Sequence, residues 1–159
     1  HLYPGTMDVP LLIRVPSGRG AGSRKKELVY TLDIPATIAE IAGIGDRLMP
    51  DGQDLKPLLT GGNGWQDRNY LTCRYGDYVW YKDSSSYFYS DVDFTAPRLY
   101  DRETDPECST DIAGKSPKRV ALAREAILAD AGGSLKKYVF KGMTDALGRP
   151  MFDVKSASV

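Results

Sequence analysis

A chain of 159 residues can bury a core of its own, and its 21 cationic side chains balance 21 carboxylates. That balance leaves no net field to recruit nucleic acid or an anionic membrane. Two cysteines, Cys73 and Cys108, are too few for a disulfide framework and lack zinc spacing, so they read as free thiols or at most one bridge.

No apolar run is long enough to cross a bilayer, and the opening "HLYPGTMDVP" has neither the basic nor the apolar region of a signal peptide. It also lacks an initiating Met, which fits a chain that starts within a longer protein. Val9 to Pro16, "VPLLIRVP", is an almost continuous apolar run between prolines and predicts a strand over 9–16 buried on both faces, as in a parallel sheet. Such a strand needs neighbours, and exposed edges would drive copies to associate. "SGRGAGSRKKE" then reads as a mobile exposed loop.

"LVYTLDIPATIAEIAGIG" switches to helical period. Asp33 is placed to N-cap a helix over 33–43, Pro35 sits in its first turn, Ile34, Ile38 and Ile41 share a face, and Gly43 ends it. The turn-rich stretch that follows, with "DLKPLL" as one helical turn, reads as a linker. "NYLTCRYGDYVWYKD" predicts a hairpin broken at Gly76-Asp77, and "SSYFYSD" and "PRLYD" add further short strands to an antiparallel sheet. "KSPKRVALAREAILADAGG" predicts a second helix, with Ser116 as cap, Pro117 in the first position and Val120, Ala123 and Ile127 as a stripe that covers one sheet face. The divisions are thus 1–64, 65–133 and an extended tail over 134–159.

Several residues invite chemistry. Asp101, Glu103 and Asp105 have the alternate spacing of a calcium loop, but Pro106 and Ile112 stand where that loop needs glycine and a bidentate Glu; an Asp-Pro turn after a strand fits better. "PSGRGAGS" echoes a phosphate-binding glycine loop, yet Ser23 replaces the third glycine and no Gly-Lys-Ser follows, which favours a surface loop. The tyrosines and Trp80 between Tyr70 and Tyr89 suit either a stacking platform for a base or sugar or the core between sheet and helix. His1 is the only histidine, so no His base paired with a nucleophile and no multi-His metal site can be completed in this chain.

The order of these segments resembles the carboxyl-terminal part of the sulfatase family, within the alkaline-phosphatase superfamily. "LYPGTMDVPLLIRVP" resembles that family's strand entry, "ELVYTLDIPATIAEIAGI" its Asp-Pro-Thr helix, and "PDGQDLKPLLTG" the connection that follows. "YLTCRYGDYVWYKD" resembles a strand pair of the family's small sheet, "RLYDRETDPECSTDIAG" its Leu-Tyr-Asp and Asp-Pro signature, and Lys118 to Asp130 its terminal helix. The match runs in unbroken order over residues 3 to 130.

The resemblance implies an α/β (α+β) arrangement: the end of an alkaline-phosphatase-like α/β domain, then a small antiparallel sheet packed against a carboxyl-terminal helix. It implies a parent that hydrolyses sulfate monoesters of a small molecule or glycan. In that family a Cys or Ser in a C/S-x-P-S-R motif becomes formylglycine, and a calcium ion with Lys and His stabilises ester oxygens. None of that motif is present; Pro16-Ser17-Gly18-Arg19 is a false echo, since Arg14 stands at the nucleophile position. The catalytic and metal residues are therefore expected upstream, in a partner portion of the same protein, and this chain alone is expected to be inactive. His1, Tyr3 and Arg74 are the candidates for the substrate rim. Asp8, where Arg is common, and Cys108 to Asp111, in place of the usual approach, depart from the family pattern. A phosphodiesterase or phosphonate monoester hydrolase of the same superfamily and a non-catalytic glycan- or protein-binding module are the alternatives.

Overall fold

The computed structural model describes residues 4–45 and 51–136. Four helices and four strands follow one another as α1 (Pro4–Met7), α2 (Asp33–Ile41), α3 (Lys56–Thr60), β1 (Leu71–Tyr75), β2 (Tyr78–Lys82), β3 (Ser86–Asp91), β4 (Arg98–Asp101) and α4 (Pro117–Asp130). The mixed helix and sheet class expected from the sequence is what forms.

The strands make an antiparallel meander in the order β1-β2-β3-β4. Its first turn is the two-residue Gly76-Asp77 step: Gly76 takes φ +59°, which tight hairpin turns require, and the register closes on Tyr75 opposite Tyr78. At the next turn the Asp83 carboxylate accepts the Ser85 and Ser86 backbone N–H groups at 2.8 and 2.5 Å. An aspartate can thus close a loop that contains no glycine.

Alternation along the strands sorts the side chains onto two faces. Val79, Tyr81, Phe88 and Leu99 meet Ala123, Ala126 and Ile127 of α4, with Val120 at the margin. The predicted stripe on α4 is therefore the buried one, and each large side chain there contributes about 1.5–3 kcal/mol through removal from water. Leu71, Trp80, Tyr87 and Tyr100 occupy the opposite face with Cys108, under Met7, Leu28 and Tyr30. The aromatic run is thus mostly core, with Tyr75 and Tyr78 at the hairpin tip exposed at 73% and 56% and Tyr70 at its start exposed to a lesser degree.

Four local expectations change. Residues 9–16 form no strand, because nothing among the described residues pairs with them, and Val9, Leu11, Leu12 and Ile13 are exposed. The isoleucine face of α2 points outward: Ile38 and Ile41 are 62% and 70% exposed, while Asp33, Ala36, Thr37 and Ala39 are buried. The small residues let the linker approach closely. A Cβ on Gly52 would stand 2.4 Å from the Leu32 carbonyl oxygen. Asp33 does not cap α2; its carboxylate accepts the N–H of Tyr30, before the helix. Ser116 occupies the N-cap position of α4 without a side-chain capping bond, and Pro117 begins the helix as expected. The tail from 137 onward lies outside the described residues.

Candidate functional site

Asp33 is fully buried and gathers four donors. Tyr30 and Gln53 give backbone N–H groups at 2.7 and 2.8 Å, and Arg68 closes a two-pronged pair at 2.8 and 2.7 Å. One turn on, the Thr37 hydroxyl donates to the Asp33 carbonyl and accepts the Leu55 N–H at 2.8 Å. The Asp and Thr of the "DIPAT" stretch are therefore ties between a helix and the linker that follows it.

Arg68 and Tyr30 carry the tie across to the sheet. The guanidinium lies 5.1 Å from the Tyr30 ring centroid and 5.4 Å from that of Trp65, within cation–π range. The Tyr30 hydroxyl accepts the Thr72 N–H at 2.6 Å and donates to the Thr72 carbonyl at 2.9 Å. Burial, outweighing those bonds, pushes the Tyr30 phenol above its ordinary value, so it stays a neutral donor. A second tie joins Asp8, just after α1, to Lys82 of β2, with Arg102 at 4.0 Å. Arg68 and Lys82 carry no sequence signal for these roles, since each is a lone cation whose carboxylate is dozens of residues away.

The acidic stretch after β4 resolves into turns. One Asp101 oxygen receives Arg119 at 2.9 Å, and the other takes the Glu103 and Thr104 N–H groups. Asp105 accepts Ser109 and Thr110 N–H groups at 3.0 and 2.8 Å, and Asp111 accepts those of Leu99 and Ala113. Their lone pairs are committed to the chain itself, and among the described residues no three His, Cys, Asp or Glu side chains stand close enough to hold a metal. The donor set here does not fit the calcium loop whose spacing it echoes, and the resemblance places its calcium ion upstream of this chain.

Arg74 lies on the α4 side of β1. Its Nε donates to the Gly76 carbonyl at 2.8 Å and a terminal nitrogen reaches the Lys136 carbonyl. With Thr72, Asp130 and Ser134 it borders a cleft of about 550 Å³ between β1 and the end of α4. Met7 packs on the opposite sheet face, so Arg74 and the segment that leads in from His1 and Tyr3 are not brought together by the described residues; His1 and Tyr3 lie outside them. Burial raises both the Cys73 and Cys108 thiols, which favours their protonated form.

A last feature is an outward apolar surface. Val9, Leu11, Leu12 and Ile13 precede the basic loop, Ile38 and Ile41 are exposed on α2, and Leu32 and Ile44 are exposed just before and after it.

No family model matches the chain. Over 138 residues it is 29% identical to arylsulfatase K of Xenopus laevis, covering 75% of this chain and 25% of that protein. Among solved structures it superposes on a protein in complex with its substrate D-glucosamine-2-N,6-O-disulfate, with TM-score 0.61, 18% identity, and 76% and 27% of the two chains covered. A 2-O GAG sulfatase follows at TM-score 0.52, 23% identity, and 64% and 24% covered. The phosphonate monoester hydrolase of Agrobacterium radiobacter gives 0.56, 20% identity, and 81% and 30% covered. At these identities the structural likeness is one of fold, and the chain spans about a quarter of the curated relative it matches.

Proposed function

We propose that this chain, a sulfatase-family carboxyl-terminal portion by its sequence and fold relationships, completes a hydrolase of sulfate monoesters whose nucleophile and metal lie in an upstream portion of the same protein. The observation that carries this reading is the outward apolar surface. A run of four exposed aliphatic side chains with no strand partner among the described residues, together with a helix that buries Ala36 and Ala39 and exposes Ile38 and Ile41, is what remains when a sheet and its covering helix lose their neighbours. The upstream portion would pair with residues 9–13 and cover Ile38 and Ile41. The meander and α4 would then close one side of the enzyme through the Asp33, Arg68 and Tyr30 ties.

In this reading the chemistry at sulfur, through a formylglycine and a calcium ion, belongs to the upstream portion. This chain's residues do the holding: Asp33 and Thr37 fix the helix that would meet the upstream sheet, and Asp8 with Lys82 ties the segment before residues 9–13 to β2.

The test compares the chain alone with the chain preceded by its upstream coding sequence, assayed on an aryl sulfate with calcium. Turnover by the longer protein, none by the chain alone, and a loss of at least tenfold in Ile38→Glu/Ile41→Glu are expected. Turnover by the chain alone, or a longer protein indifferent to both substitutions, would overturn the reading. A phosphonate monoester hydrolase is the second reading, favoured by the 81% of the chain that its fold covers. Turnover of a phosphonate ester in preference to the aryl sulfate would select it.

A further inference from the structure

The loop after the apolar run holds Arg14, Arg19, Arg24, Lys25 and Lys26 within thirteen residues that contain no carboxylate. All five are exposed, and none has a carboxylate within ion-pair distance among the described residues. The loop is not a loose string. Gly18 N–H donates to the Val15 carbonyl, Ala21 N–H to Gly18, and Ser23 N–H to Gly20, at 2.9 to 3.2 Å, so tight turns follow one another. Gly18, Gly20 and Gly22 supply φ values of +71°, +70° and +74°. A Cβ on Gly20 would stand 2.7 Å from the Leu59 carbonyl oxygen, so the loop lies close against α3.

We infer that this loop is a contact surface for a linear sulfated polysaccharide. The chain is neutral overall, so the five cations leave the rest of it at net −5. A broad anionic partner such as a duplex or a bilayer would meet that acidic remainder as well. A narrow chain with spaced sulfates meets the loop alone. The loop also has no aromatic side chain, so it offers no platform on which single-stranded nucleic acid could stack. The choice of sulfate over phosphate as the recurring anion rests on the proposed sulfate-ester reading. The loop would hold an extended polymer through its successive sulfates.

Heparin is the probe, immobilised and titrated with salt against the 159-residue chain. Five released counterions at about 0.7 each predict a slope of log affinity on log salt near −3.5. Replacing all five cations by Gln should move elution to the void, and Arg24→Gln/Lys25→Gln/Lys26→Gln should lower the slope by about half. Arg14→Lys/Arg19→Lys/Arg24→Lys should still be retained. Near-ultraviolet circular dichroism checks that each variant keeps its aromatic core. Passage of the unaltered chain through heparin in dilute buffer, or equal retention of the five-fold variant, would overturn the inference. So would equal binding to desulfated heparin, duplex DNA or phosphatidylserine vesicles. Heparin retention with no sulfate ester turnover by the longer protein would sink the proposed function and not the loop, and the opposite pair of results would sink the loop alone.

Discussion

Arg68→Ala removes the charged partner of the most deeply buried carboxylate described. Asp33 is 0% exposed and Arg68 gives it two charge-assisted bonds at 2.8 and 2.7 Å, so water cannot take over when the guanidinium goes. Loss of one member of a buried pair costs about 3–5 kcal/mol. The Tyr30 and Gln53 N–H groups still hold the carboxylate, which places the cost near the lower end, about 3 kcal/mol. With a urea m-value of about 2 kcal/mol/M, the midpoint should fall by about 1.5 M. Trp65, over which Arg68 lies, and Trp80 in the core report the transition by fluorescence. The double variant Asp33→Asn/Arg68→Gln leaves no unpaired charge and should be more stable than the sum of its singles by about 2 kcal/mol. An Arg68→Ala midpoint within about 0.3 M of the unaltered chain, at equal m, would refute the assignment of the tie to this pair.

Two further outcomes follow from the same contacts. Burial acts to raise the Asp83 carboxyl, but the bonds from Tyr81, Ser85 and Ser86 outweigh it and hold the group below its ordinary value. Its contribution is thus present above the unfolded carboxylate range of about 4 and lost as pH falls through the lower folded value; Asp83→Asn should flatten the acid limb of a stability-against-pH curve, and an unchanged limb would count against it. Gly52→Ala forces a Cβ to 2.4 Å from a backbone oxygen and 2.8 Å from the Ala36 Cβ, which should cost about 2 kcal/mol and lower Tm by about 4–8 °C; a melt within a degree of the unaltered chain would show that the linker simply moves aside.

The meander was legible because each strand carries its own signal: aromatic and β-branched side chains at alternate positions, and a Gly-Asp turn that admits one hairpin geometry. Helix α4 was legible because its small and branched residues face a sheet within the same chain. Helix α2 has an equally clear period, but the period says only that one face is apolar, not what covers it. Ile38 and Ile41 are exposed, and packing among the described residues falls to Ala36 and Ala39. Residues 9–13 fail for the same reason, since a strand is defined by a partner. The ties at Asp33 could not be read from the sequence, because Arg68 is one cation among 21 and nothing local marks it.

The Tyr30 hydroxyl does more than bridge. Strand β1 is at the border of the meander, and the Thr72 N–H and C=O that Tyr30 occupies are groups an incoming strand would otherwise seize. A phenol is thereby a plug against strand addition, supplied from 42 residues earlier in the chain. Excision of the sheet at residue 65 would leave the plug behind and bare a template for aggregation. The smallest piece that stays soluble should therefore begin ahead of Leu28, which makes the lead-in to α2 part of the sheet's folding unit.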